Sequence, residues 1–185
     1  MSHKRRDFIK KSCLLGGCLC GFTSLVNGAV NLSDDMADVA PNQVLMQEWV
    51  STLLKSIDEN EEQDVAQKIV KQCAISHFEH LKMDEFLKPY IGKLEKFNAF
   101  IENKWGWKID YQKEVGILIA DENKNYCVCP MVNKEKGIKS SILCYCSEGF
   151  AELMFSKVAD MQVQATVISS IHRGQDRCQY EIKLN

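Results

Sequence analysis

Apolar residues recur at helical spacing in three successive stretches of the chain. Leu45, Trp49, Leu53 and Ile57 predict an amphipathic helix over 44–57 that ends near Asp58-Glu59-Asn60. A second stripe runs through Val65, Ile69, Cys73, Ala74, His77, Phe78 and Leu81, within 62–81. The third, over 84–105, carries Phe86, Tyr90, Leu94, Phe97 and Ile101, with Pro89 early enough for a first helical turn. From Trp107 the period changes to two. WKIDY alternates, VGILIADE is a short apolar run closed by a turn over 121–125, and YCVCPMV reads as a strand stopped at Pro130. A helix returns over 147–158, with Ser147 as N-cap and Phe150, Leu153, Met154 and Val158 on one side. VQATVISSI and RCQYEIKL then form a hairpin around Arg173-Gly174-Gln175-Asp176. The predicted fold is α+β: N-terminal helices followed by an antiparallel β-β-β-α-β-β domain.

Composition narrows this only a little. Of 185 residues, 45% are hydrophobic and 26% charged, with three prolines, which excludes disordered and fibrous classes. The N-terminus changes more. KRRDFIKK, Lys4 to Lys11, followed by a glycine-broken apolar stretch from Cys13 to Val26, resembles a twin-arginine export signal and is too short and polar for a spanning helix. Cleavage is expected near Val26-Asn27-Gly28-Ala29. Leu15-Gly16-Gly17-Cys18 offers a second reading as a lipoprotein box that would anchor an exported chain to the membrane through Cys18. The expected organisation is a signal over 1–29, a polar linker over 30–42 and one cysteine-rich domain over 43–185. The expected partner of the signal is the twin-arginine export machinery, and the expected location is periplasmic. Without residues 1–29 the 23 basic residues fall by five to 18 and the 25 acidic residues by one to 24, net −6. An acidic body with no basic patch argues against nucleic-acid binding.

Six of the nine cysteines remain in that body, and four form two Cys-x-Cys pairs, Cys127 with Cys129 and Cys144 with Cys146. On an extended strand Cys127 and Cys129 would face one way with β-carbons roughly 6 to 7 Å apart. A disulfide needs about 3.5 to 4.5 Å, so the two should not bridge each other. They could share an ion with a neighbouring Cys144 and Cys146, since Zn–S is about 2.3 Å and thiolates favour zinc or iron-sulfur over magnesium or calcium. Disulfides between the pairs, which fit an oxidising compartment, are a second reading, and buried or reactive thiols a third. Cys73 and His77, four apart on one helix face, could serve as a nucleophile with its base, as metal ligands, or as core residues. His172 and Cys178 flank the hairpin turn, which Asp176 would shape and where Arg173 is the expected exposed cation. Trp105 and Trp107 belong to a pocket mouth or to core packing.

The stretch Ser141 to Leu184 carries a cysteine pair before a glycine-started helix (Gly149-Phe150), a strand over 163–170, the turn Gly174-Gln175-Asp176-Arg177-Cys178 and a last strand with Tyr180-Glu181-Ile182. In that order of elements it resembles the 4-vinyl-reductase-like small-molecule-binding domain family. A weaker similarity is to the L-2-amino-thiazoline-4-carboxylic acid hydrolase-like proteins, in which a second cysteine is expected four residues after the helix cysteine. This chain has Cys73-Ala74-Ile75-Ser76-His77 there. The resemblance implies an α+β module whose helices and sheet enclose a small molecule or a metal-assisted site, without fixing a reaction. The candidates are therefore a ligand- or metal-binding module, with Cys127, Cys129, Cys144 and Cys146 as ligands and Cys73, His77 and Cys178 near them; a hydrolase of a small nitrogen or sulfur compound, or a thiol redox enzyme, using Cys73 and His77; and a disulfide-stapled binding protein.

Overall fold

The computed structural model of the chain describes residues 41–129, 131 and 140–184. The export signal, Cys18, most of the linker and Pro130 lie outside the described residues. Helices come first: α1 Pro41–Asn60, α2 Gln63–Gln72, α3 Ala74–His80, α4 Met83–Leu87 and α5 Leu94–Trp105. Strands β1 Lys108–Gln112 and β2 Ile117–Asp121 follow, then helix α6 Cys144–Ala159 and strands β3 Val163–Ser169 and β4 Gln179–Leu184. The strands form one antiparallel sheet in the order β1-β2-β4-β3, so the architecture is α+β. None of the helices among the described residues is long and apolar enough to cross a membrane.

Four local expectations change. Tyr126–Cys129, predicted as a strand, is irregular: β2 is already flanked by β1 and β4, so the segment that follows it finds no open edge there. Cys144 and Cys146 stand in the first turn of α6, which begins three residues before Ser147 and is preceded by a 3-10 turn over Ser141–Leu143. The third predicted helix breaks into α4, a 3-10 turn at Lys88–Tyr90 and α5, because Pro89 has no N–H to continue an α-helix. The second breaks at Cys73, and its buried line is Ala66, Val70, Ala74 and Phe78, while Val65 and Ile69 stay 38% and 39% exposed.

Packing explains that rotation of the buried face. Helix α6 lies against α2 and α3 at Gly149, where an added Cβ would meet the Lys71 carbonyl oxygen and come within 2.9 Å of the Ala74 Cβ. The smallest side chains set the contact, so Ala66 and Ala74 face inward in place of the larger Val65 and Ile69. Glu148, one residue earlier and 1% exposed, ties three elements together: it accepts from Gln67 at 2.6 Å, pairs with Lys71 at 3.3 Å, and accepts from the Val167 N–H of β3 at 3.0 Å. The other face of α6 covers the sheet.

On the sheet's inner face the register aligns two rows across the strands. One is Tyr111, Leu118, Ile182 and Ala165; the other is Ile109, Ala120, Tyr180 and Val167. Leu118, Ala120 and Ile182 are fully buried against Met154, Phe155 and Val158 of α6. Below this layer, Phe86, Tyr90, Phe97, Phe100 and Trp105 make a cluster of edge-on, tilted and stacked rings. Helix α1 is anchored mainly by Leu54, with Val50 and Ile57, and leaves Leu45, Trp49 and Leu53 of its predicted stripe exposed.

Candidate functional site

Beyond the ends of β2 and β4 the inward alternation of each strand continues. Leu118 and Ala120 are followed by Glu122, Ile182 and Tyr180 are preceded by Cys178, and the Glu122 N–H donates to the Cys178 carbonyl at 3.0 Å. Asp121 holds this corner: its carboxylate accepts from the Asn123 N–H at 2.6 Å, from Arg177 at 3.2 Å and from Gln179 at 3.1 Å, and Asn123 turns the chain at φ 55°. Glu122 is thereby aimed under α6 instead of toward solvent.

Between this corner and α6 lies a cavity of about 220 Å³. Helix α6 supplies Ser147, Phe150, Ala151 and Met154 at i, i+3, i+4 and i+7, α3 supplies His77, and the irregular segment after β2 supplies Cys127 and Cys129. Trp107, stacked on Tyr180 with centroids 6.2 Å apart, belongs to the wall; Trp105 packs behind it. Polar groups converge on the otherwise apolar wall. The Tyr180 hydroxyl donates to Glu122 Oε1 at 2.6 Å, and Ser147 bonds the same tyrosine oxygen. Burial pushes the Glu122 carboxyl up, opposed by the Tyr180 hydrogen bond, and burial followed by the neighbouring Glu122 pushes Tyr180 well above its ordinary value. His77, against the Phe150 ring at 4.7 Å, is pushed down by burial and then by His80.

The thiols divide sharply. Cys127, Cys129, Cys144 and Cys178 line the cavity, Cys146 lies outside the lining and packs with Cys129 on the side of α1 and α2, and Cys73 is exposed with its S–H donating to the Ile69 carbonyl at 3.4 Å. All six are free. The expected pairing of Cys73 with His77 on one inward face is not what the structure has, because the break at Cys73 turns that residue outward while His77 reaches the cavity. Among the described residues no group of three or more His, Cys, Asp or Glu side chains converges as metal ligands would. Cys144 Sγ lies 2.8 Å from the hydroxyl of Ser170, which is 1% exposed. Cys127 Sγ lies 3.2 Å from His172 Nε2. The expected exposed cation, Arg173, instead donates to the Val167 carbonyl at 3.1 Å and sits 5.0 Å from the Tyr145 ring centre. Glu122, Tyr180 and Ser170 escaped the sequence reading, although inward parity was available for the first two.

Burial pushes Cys129 up to about 12, and Cys146 and Cys178 to about 11. Unfolded thiols ionise near their ordinary value of 9.0, so above it the folded chain holds more protons than the unfolded one. The stability these thiols contribute is fully present below pH 9 and falls as pH rises toward 11 to 12. Urea denaturation of the reduced protein is expected to show a lower midpoint at about pH 10.5 than at about pH 8. In Cys178→Ala the drop between those two conditions should shrink, and an unchanged drop would remove that residue from the account.

No curated protein matches the chain. A solved structure of a trafficking protein particle complex subunit 3 from Naegleria fowleri, covalently bound to palmitic acid, is similar at TM-score 0.44 and 14% identity, covering 78% of this chain and 95% of that one. The phenol-responsive sensory domain of the transcription activator PoxR, with phenol, is similar at TM-score 0.42 and 9% identity over 74% of this chain and 73% of that one. The model of one family, described as a family of unknown function (DUF6144), matches residues 24–185, and the chain belongs to that family.

Proposed function

We propose that the chain binds a small, largely apolar molecule in the cavity between α6 and the sheet, oriented by the Glu122–Tyr180 pair. The observation that carries this is the wall itself: aromatic and aliphatic side chains around about 220 Å³, with a few polar groups among them that include the Glu122–Tyr180 pair. The resemblance of Ser141–Leu184 to the 4-vinyl-reductase-like small-molecule-binding domain family supports the same reading. Among the described residues that line the cavity there is Glu122 and neither lysine nor arginine, so a neutral ligand or one with a hydrogen-bond donor is favoured over a carboxylate or phosphate.

Fluorine NMR with 4-fluorobenzyl alcohol and 4-fluorobenzoate tests this. The alcohol signal is expected to broaden and shift on adding protein, the benzoate signal to change far less, and Ala151→Phe, which fills the cavity, to abolish the alcohol's response while the variant still unfolds cooperatively. Equal response to both compounds would overturn the electrostatic part of the reading; no response to either would overturn the binding reading. Metal binding by the two Cys-x-Cys pairs ranks second, because Cys146 is not among the residues that line the cavity with Cys127, Cys129 and Cys144. Stoichiometric zinc in the purified protein, lost in Cys129→Ser, would reverse that ranking.

A further inference from the structure

We propose that Cys127 and His172 are a reactive thiol–imidazole pair that captures an apolar α,β-unsaturated carbonyl compound held in the cavity, an inference that rests on the cavity being the binding site. The two residues are 45 apart in sequence and meet at 3.2 Å, both half-buried and both on the cavity wall. An imidazole at this distance can take the thiol proton, and the thiolate is the nucleophile. The other wall thiols are placed differently. Cys144 is engaged with Ser170, while burial pushes Cys129 up to about 12 and Cys178 to about 11.

Thiolates prefer soft carbon centres, and apolar walls hold a hydrocarbon body against them. In the addition, Sγ bonds to the β-carbon, the carbon–carbon π bond breaks, and its electron pair moves to the carbonyl oxygen as an enolate. The proton taken up by His172 returns to the α-carbon. Nothing leaves, and no oxidant or reductant is consumed.

The test is N-ethylmaleimide, itself an α,β-unsaturated carbonyl compound, with peptide mass mapping of the fully reduced protein over time. Cys127 is expected to be labelled about tenfold faster than the exposed Cys73, and Cys129, Cys144 and Cys178 more slowly than either. His172→Gln should lower the Cys127 rate about tenfold, leave the Cys73 rate and the thermal unfolding midpoint unchanged, and be partly rescued by added imidazole. Cys127 reacting no faster than Cys73, or unaffected by His172→Gln, would overturn the pair. Saturating 4-fluorobenzyl alcohol should protect Cys127 and spare Cys73. Rapid labelling that the alcohol does not slow would overturn capture in the cavity, whereas slow Cys127 labelling of the ligand-free protein, in a sample whose NMR shows that the alcohol binds, would leave the binding reading standing and remove the pair.

Discussion

Gly149→Ala is expected to lower folding stability by about 2 kcal/mol, measured by urea denaturation. Alanine in place of glycine favours an isolated helix by about 1 kcal/mol, so propensity alone predicts a gain. Overpacking a close contact costs about 3 kcal/mol, and here the obstruction is the Lys71 backbone carbonyl with the Ala74 Cβ behind it, neither of which can rotate away. The steric effect therefore wins. Gly106→Ala is the comparison: Gly106 ends α5 at φ 73° with open space around its Cβ position, so only left-handed backbone strain of about 1 kcal/mol is expected there. A Gly149→Ala protein as stable as the parent would mean that α6 and α2 are not packed as closely as described. The consequence reaches the site, because α6 carries Cys144, Ser147 and Phe150 and cannot shift away from α2 without reshaping the cavity.

The second large effect is Glu148→Ala, with an expected loss of about 3 kcal/mol. The carboxylate is almost wholly buried, and its removal leaves the Val167 N–H and the Gln67 amide without their acceptor. Lys71 keeps Glu152 at 2.6 Å and the Ala165 carbonyl at 3.2 Å, which holds the loss below the upper range for a broken buried pair. Glu148→Gln preserves the shape and one acceptor and should lose about 1 kcal/mol. The difference between the two variants should change little with added salt, since a buried pair is poorly screened. Equal, small losses for both would show that the carboxylate does not hold the three elements together.

Much of the secondary structure was readable along the chain because it rests on periods. Strand β1 lies where the two-residue alternation placed it, β2 within the short apolar run, and β3 and β4 in the expected final hairpin, which turns at Gly174, at φ 85°. Inward parity also ran past the strand ends to Glu122 and Cys178, so part of the cavity was legible in principle. The failures share a cause. Whether Tyr126–Cys129 pairs as a strand depends on which sheet edges are free, and which face of α2 and α3 is buried depends on where another helix approaches.

The sequence by itself determined the α+β class, the alternation that points Leu118, Ala120, Tyr180 and Ile182 inward, and the presence of six thiols in the folded region. Only the tertiary structure decided which thiols matter to the cavity. It turned Cys73 outward at a helix break, sent Cys146 to the α1 and α2 side, and brought Cys127 to His172 across 45 residues. Local patterns report only the period of a segment, whereas an approach between distant segments is set by which surfaces can close without clashing, and at Gly149 that is a single missing Cβ.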